Sequence, residues 1–207
     1  AKMKGTAGLP VHEITLEIYK GGRDYDGDPD LRIYNTLTGY YLVKAVDPDN
    51  SIYTWGYGSV QPWIELRYAE VLLNYAEAQN EFLASPDKSV YDALNKLRIR
   101  AGITRELPEG SLNKEQMREL IRNERYVELC FEGKRYWDLR RWKLAGTRLN
   151  NVRYSGVVIT KHEDNTFSYE YQPVDPQPLV FEEHMYLMPI PRSEIAKNGN
   201  LEQNEGW

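Results

Sequence analysis

A single cysteine, Cys130, occurs among the 207 residues, so no disulfide bond can form within the chain. Its neighbours Leu129 and Phe131 are apolar, and we expect the thiol to be buried and unreactive. No run of 18 apolar residues occurs, so the sequence predicts no membrane-spanning helix. The chain instead has the composition of a packed globular protein, with 41% hydrophobic and 28% charged residues.

Signals for metal, nucleotide and nucleic-acid binding are also missing. The three histidines are scattered, with no HExxH motif and no Cys/His cluster, which argues against a zinc site. No GxGxxG or Walker loop occurs, so nothing indicates a bound nucleotide, and we expect no cofactor. The formal net charge is −5, and without an excess of positive charge the protein is not expected to bind nucleic acid.

The sequence changes character near residue 63. Residues 1–63 are rich in glycine and proline and predict a loop-rich segment, with one short alternating stretch over residues 11–19 that is typical of a strand. From residue 64 onward the pattern is helical, and a small β-hairpin is predicted from residues 152–160 and 166–171. The sequence therefore predicts a mainly α fold with irregular loops.

Two helices are predicted over residues 64–84 and 89–101. In the first, polar residues occupy one narrow face and two apolar stripes occupy the rest, so we expect neighbours on two sides. Ser89 and Asp92 are the expected capping-box pair of the second, which ends at Gly102. Two such helices with a short connection resemble one tetratricopeptide-like hairpin.

A third helix has the clearest start signal, with Asn113 as N-cap and Gln116 three residues later. A fourth helix is expected after Gly133. The face of the third helix that we expect to point inward consists of Met117, Leu120, Ile121, Glu124, Val127, Glu128 and Phe131.

Carboxylates on an apolar face are costly to bury unless they are paired. Glu124 and Glu128 lie close in sequence to Arg125, Arg135 and Arg140, and we expect a guanidinium–carboxylate network that ties the third helix to the fourth. The alternative is a glycosidase acid/base pair, which needs two carboxylates about 5–10 Å apart across a cleft. The surrounding arginines favour the structural reading, and we expect no catalytic residue.

Four motifs follow one another along the chain: RYAEVLLNYAEAQNE at residues 67–81, ALNKLRIRAGI at 93–103, ERYVELCFEGKRYWDLRRW at 124–142 and YLMPIPRSEIAKNGNLEQNEGW at 186–207. Together and in this order, they resemble the SusD/RagB family. The resemblance implies that residues 64–207 form a SusD-like C-terminal helical domain built from tetratricopeptide-like hairpins. It also implies that residues 1–63 continue from the N-terminal region of a longer protein.

The resemblance also implies a function. Such a protein is expected to be lipid-anchored at the cell-surface face of a Bacteroidetes-type outer membrane, through an anchor N-terminal to this chain. It would capture glycans, or sometimes peptides, without turnover and deliver them to a SusC-like TonB-dependent transporter. The alternatives are a carbohydrate-active hydrolase, suggested by the acidic and aromatic composition, and a tetratricopeptide-type scaffold for protein interactions.

Candidate ligand-binding residues come from the aromatic content, which includes 16 Tyr and 5 Trp. An amphipathic ring offers a sugar both an apolar face and a polar tip. Ahead of the first long helix, a glycine-containing loop carries Tyr53, Trp55, Tyr57 and Trp63, and these rings are the candidate ligand contacts. The alternative is that Trp63 only packs against the start of that helix and the other rings pad the core.

A weaker candidate is an irregular calcium site in an acidic turn. The alternating residues of this turn are Asp24, Asp26, Asp28 and Asp30. An EF-hand is excluded, because its sixth position requires glycine and is Pro29 here. A solvated turn is the alternative.

Overall fold

The computed structural model describes residues 62–174 and 176–207, together with residues 2–3, 14–15, 17–22, 25, 36, 38–42 and 44. Contacts divide the chain into two compact units, one of Trp63–Trp142 and one of Ala1–Pro62 with Lys143–Trp207. The prediction of a mainly α fold with irregular loops and a small β-hairpin is confirmed. No helix in the described part of the chain has the length and apolarity needed to cross a membrane.

The unit of residues 63–142 contains four helices in its described sequence. Helix α1 (Tyr68–Phe82) and helix α2 (Lys88–Arg100) are joined by residues 83–87 and pack against each other. Helix α3 (Lys114–Glu128) also packs against α1, and helix α4 (Arg135–Arg141) follows after Gly133. Since α1 contacts both α2 and α3, it is the central helix of this unit.

The core of this unit lies where the three long helices meet. Its fully buried centre consists of Leu73, Ala76, Val90, Leu94, Met117 and Ile121. One predicted apolar stripe of α1, with Ala69, Leu72 and Ala76, is buried there. The other stripe is exposed within the described part of the chain, at Tyr68, Val71, Tyr75 and Phe82. The expectation that both stripes pack against neighbours is therefore wrong for that stripe in this structure.

The inward face of α3 also differs from the prediction. The buried line is Met117, Ile121 and Arg125, which are spaced four residues apart, whereas Val127 is 60% exposed and Phe131 is 69% exposed. Phe131 lies beyond the end of α3 with a φ of 61°, so the helical periodicity no longer applies to it. Val127, two residues after the buried Arg125, lies on the opposite side of the helix from it.

The helix starts are defined by side-chain caps. The predicted capping box of α3 is confirmed, because Asn113 accepts from the backbone N–H of Gln116 and Gln116 accepts from that of Asn113. The predicted cap of α2 is wrong. Asp87 is the N-cap and accepts from the backbone N–H of Ser89, while Asp92 pairs with Lys88 one turn away.

Two side chains of α2 hold the loop that leads into α3. The Asn95 side chain accepts from the Leu107 N–H at 2.8 Å and donates to the Leu107 carbonyl at 3.2 Å. The Tyr91 hydroxyl likewise accepts from the Leu112 N–H at 3.0 Å and donates to the Leu112 carbonyl at 3.3 Å. Tyr91 and Asn95 are one helical turn apart and both are buried, so one edge of α2 shapes this loop.

The other unit carries the β-structure. A two-residue strand β1 (Lys2–Met3) pairs with β2 (Ile14–Thr15), and the predicted hairpin is present as β3 (Ser155–Lys161) and β4 (Phe167–Pro173). Strands β3 and β4 are antiparallel, with Val157 opposite Tyr171. The unit also contains the short helices α5 (Ala145–Arg148) and α6 (Arg192–Lys197), and a 3-10 turn at Glu183–Tyr186.

Candidate functional site

Most of the candidate ligand-binding rings lie outside the described residues, namely Tyr53, Trp55 and Tyr57. Trp63 is described and is 62% exposed, five residues before the start of α1. The acidic turn of Asp24, Asp26, Asp28 and Asp30 also lies outside the described residues. Among the residues that the structure describes, no group of three or more His, Cys, Asp or Glu side chains is arranged to hold a metal ion. Cys130, expected to be buried, is only partly so.

The charged residues of α3 form the expected kind of network, but with other partners. Glu124 accepts from Arg98 of α2 at 2.7 Å. Glu128 is held by Arg67 ahead of α1 and by Arg100 of α2. Through these contacts the two glutamates tie α3 to α2 and to Arg67 at the start of α1.

Arg125 forms an ion pair that connects α3 to α4, so this part of the expected network is present. Its guanidinium binds both carboxylate oxygens of Asp138 at 3.0 Å each. Arg135 and Arg140, which we expected to bind the glutamates, lie over aromatic rings: Arg135 over Tyr126, and Arg140 over Tyr136 and Trp137. Cation–π contacts of this type use the arginine plane as packing surface.

The polar face of α1 is part of the same network. The side chains along this face, here called the polar seam, are Arg67, Glu70, Asn74, Glu77 and Glu81. Arg67 pairs with Glu128 and Glu132, and Glu70 pairs with Lys134. Asn74 accepts from Arg125, Glu77 accepts from Arg141 and Trp142, and Glu81 pairs with Arg118. All these partners belong to α3, α4 or the residues next to them, so the polar seam joins elements of the unit instead of facing solvent alone.

The electrostatics of the polar seam favour charged side chains. Burial raises the pKa of Glu77, but hydrogen bonds from Arg141 and Trp142 and the charges of Arg141 and Arg125 outweigh it, and the net pKa lies below the ordinary 4.5. Hydrogen bonds to Glu132 and Glu128 raise the pKa of Arg67 despite its partial burial. Because the seam carboxylates are engaged by guanidinium groups or, at Glu70, by the Lys134 ammonium, this region has the character of an interhelical clamp.

A second place of functional interest is a cleft of about 430 Å³ in the unit that includes residues 143–207, here called the C-terminal cleft. Its lining residues are Lys143, Glu183, His184, Tyr186, Leu187, Glu205 and Gly206. A smaller cleft of about 230 Å³ lies beside the β3–β4 hairpin and has no charged lining residue. The C-terminal cleft therefore combines cationic, anionic and apolar groups within one concave surface.

Aromatic contacts fix the walls of the C-terminal cleft. The Lys143 ammonium lies 4.0 Å from the centroid of the Tyr186 ring, and the Tyr186 hydroxyl accepts from the Gly146 N–H at 2.9 Å. Trp207 packs edge-to-face with His184, with ring centroids 4.7 Å apart. The Trp207 indole N–H also donates to the backbone carbonyls of His184 and Leu187, each at 3.2 Å.

Sequence reasoning did not identify this cleft, because its residues come from three separated segments around 143, 183–187 and 205–206. Each segment alone has an ordinary polar composition. One signal was present in the sequence: residues 186–207 carry one of the family-like motifs, and most of the cleft lies in or next to it.

Comparisons with known proteins agree on one family. A sequence model described as the SusD family matches residues 15–207. A SusD-like protein P2 of Formosa agariphila is 34% identical over 174 residues, which cover 81% of this chain. A crystal structure of a SusD-like protein from Bacteroides fragilis is similar with a TM-score of 0.67 and 33% identity over 89% of this chain.

A crystal structure of a SusD homolog from Bacteroides thetaiotaomicron is also similar, with a TM-score of 0.51 and 30% identity over 70% of this chain. The match covers only part of each relative, namely 29% of the Formosa protein, 33% of the Bacteroides fragilis protein and 27% of the Bacteroides thetaiotaomicron protein. The chain thus spans a third or less of the length of these relatives.

Proposed function

The chain belongs to the SusD family, and from that premise we propose that the protein containing it binds glycans at the cell surface without cleaving them. The family match over residues 15–207 is the observation that carries this proposal. The delivery step follows the same resemblance: the bound glycan passes to a SusC-like TonB-dependent transporter, and a lipid anchor outside this chain holds the protein at the outer membrane.

The described charge network argues against hydrolysis by Glu124 and Glu128. Glu124 and Glu128, the most plausible pair of catalytic carboxylates in the sequence, are both engaged by arginines, and their side chains are only 16% and 11% exposed. A glycosidase general acid needs a carboxyl group that can be protonated and reach the glycosidic oxygen. Two carboxylates held by guanidinium groups inside a helical clamp do not meet that requirement.

We propose that the rings of Tyr53, Trp55, Tyr57 and Trp63 contribute to ligand contact. The exposure of Trp63 next to the rigid helix α1 supports this role, because exposed rings on a fixed scaffold suit sugar faces. Trp137, which is 55% exposed in the same unit, is a matched control for replacing an exposed tryptophan. We expect Trp63→Ala to weaken glycan binding and Trp137→Ala to leave it unchanged.

The test of the function uses the longer, lipid-anchored protein. Incubation with a glycan panel should reveal binding of at least one glycan with no new reducing ends. Release of reducing ends that disappears in Glu124→Gln would favour a hydrolase instead. Purification from membranes should recover a large TonB-dependent β-barrel, whereas binding of neither glycan nor barrel would favour a tetratricopeptide-type scaffold.

A further inference from the structure

The C-terminal cleft has the size of a small-molecule site, although none of its residues was among the candidate ligand contacts. Its volume of about 430 Å³ lies within the range of roughly 300–1,000 Å³ that is typical of ligand pockets. All of its lining residues belong to the same compact unit, so the cleft is formed within that unit.

Two left-handed backbone positions frame the C-terminal cleft. Lys143 has a φ of 56°, a region that non-glycine residues rarely adopt. Gly206 has a φ of 87°, and an added Cβ there would lie 2.6 Å from the Cβ of His184. Glycine adopts such a φ without strain, whereas a non-glycine residue like Lys143 is strained there, and strained positions of that kind are concentrated at functional sites. At Lys143 the strained backbone accompanies a side chain whose ammonium lines the cleft.

The cleft walls are pre-organised by contacts that a ligand need not supply. Tyr186 is held at its hydroxyl by Gly146 and at its ring by Phe181, whose centroid is 4.9 Å away in an edge-to-face arrangement. Trp207 is not a lining residue but packs against one, His184; it is also held by its two hydrogen bonds to backbone carbonyls and remains 48% exposed. A fixed, half-exposed indole offers an apolar plate at low entropic cost.

The charges in the cleft indicate the class of ligand. Among the lining residues, Glu183 and Glu205 carry exposed carboxylates and Lys143 carries an ammonium. The lining is therefore net negative when His184 is neutral. Such a lining repels uronates and sulfated sugars. It suits the hydroxyl groups of a neutral sugar, which can donate to carboxylates and accept from an ammonium.

We propose that the C-terminal cleft binds a terminal segment of a neutral glycan, with sugar hydroxyls donating to Glu183 and Glu205 and accepting from Lys143, and with one sugar face against Trp207, which adjoins the lining residues His184 and Gly206. This inference rests on the proposed glycan-binding function and adds a subsite to it. It also predicts a preference: neutral oligosaccharides bind here and acidic ones do not.

The experiment probes the 207-residue chain on an array of neutral and acidic oligosaccharides, followed by calorimetric titration of the hits. The neutral probes include maltohexaose, cellohexaose, mannohexaose and laminarihexaose, and the acidic probes are tri- and hexagalacturonate. We expect at least one neutral hit, weakened about tenfold or more by Glu205→Gln or Glu183→Gln, since each removes a charge-assisted hydrogen bond. Circular dichroism confirms that each variant is folded.

Two matched variants serve as controls. Glu170→Gln removes an exposed carboxylate on β4, and Lys161→Gln removes an ammonium that lies 5.2 Å from the centroid of the Tyr19 ring, in a contact like that of Lys143 with Tyr186. Both should bind the hit as the unaltered chain does. An effect of these controls equal to that of the cleft variants would overturn the proposal.

The remaining outcomes separate the subsite from the function. The cleft proposal is overturned by hits confined to galacturonates, by an absence of hits for this chain, or by hits that are insensitive to the cleft substitutions. The proposed function is judged independently by the longer protein on the same array and by Trp63→Ala. Glycan binding there, together with an inert cleft, would reject the subsite and leave the function standing.

Discussion

Arg125 and Asp138 form a buried, two-pronged ion pair in which the Nε and Nη2 groups donate to the two carboxylate oxygens at 3.0 Å each. Their side chains are only 4% and 6% exposed. Arg125 also donates to Asn74 of α1 at 2.6 Å, and Asp138 also accepts from Arg141 at 2.9 Å. One pair therefore connects three helices. Each of its members also has a further hydrogen-bond partner, Asn74 for Arg125 and Arg141 for Asp138.

The first prediction concerns the loss of one partner of this pair. Asp138→Ala leaves the Arg125 guanidinium buried without its carboxylate, and we expect the free energy of unfolding to fall by about 3–5 kcal/mol. Urea denaturation followed by tryptophan fluorescence measures this change. Asp92→Ala, which removes an exposed pair with Lys88, is the control and should shift the urea midpoint little. Similar small shifts for both variants would contradict the burial of the pair.

The second prediction compares two glutamates of the interhelical network. Glu128 is 11% exposed and is held by Arg67 and Arg100, so Glu128→Ala should lower the free energy of unfolding by roughly 2–5 kcal/mol. Glu81 is 43% exposed and pairs with Arg118, so Glu81→Ala should cost about 1 kcal/mol or less. Equal losses in urea unfolding would show that depth of burial does not rank these pairs.

The third prediction concerns the loop between α2 and α3. Asn95→Ala removes the partners of both the N–H and the carbonyl of Leu107, and we expect a loss of about 1–3 kcal/mol in unfolding free energy. Hydrogen exchange should also accelerate at Leu107. Asn123, an exposed residue of α3, supplies the control variant Asn123→Ala. Unchanged exchange at Leu107 in Asn95→Ala would mean that the loop holds its shape without this side chain.

The fourth prediction concerns acid stability. The pKa of Glu77 is lowered in the folded state relative to 4.5, so its ionised form stabilises the fold above the unfolded-state value. That contribution is present at neutral pH, begins to decline as the pH falls below about 4.5 and is lost as the pH passes the folded pKa. Urea midpoints measured from pH 7 to pH 3 should therefore fall less steeply in Glu77→Gln. Glu163→Gln in the hairpin turn should keep the slope of the unaltered chain.

Local features of the sequence predicted much of the secondary structure. The Asn113–Gln116 capping box and the β3–β4 hairpin are both determined by neighbours within a few residues, and both are present as predicted. The cap of α2 was misassigned because Asp87 and Ser89 both suit an N-cap, and only the backbone geometry distinguishes them. Arg67, expected inside α1, lies in extended conformation before it.

The candidate site was less predictable for a physical reason. Helical spacing identifies residues that share a face, but it does not identify the element that the face meets. Glu128 was expected to bind arginines near it in sequence, yet its partner Arg67 is 61 residues away. The same limit hid the C-terminal cleft, in which Lys143 meets Tyr186 only after the chain has folded back.

By itself, the sequence determined the family and the helical class, because the motifs and periodicities that define them are local and continuous along the chain. The tertiary structure decided which charges pair, since the strength of an ion pair depends on distances and burial that sequence spacing does not set. It thereby turned the polar face of α1 into a seam with α3 and α4, and it brought Lys143, Glu183 and Glu205 together around one cleft.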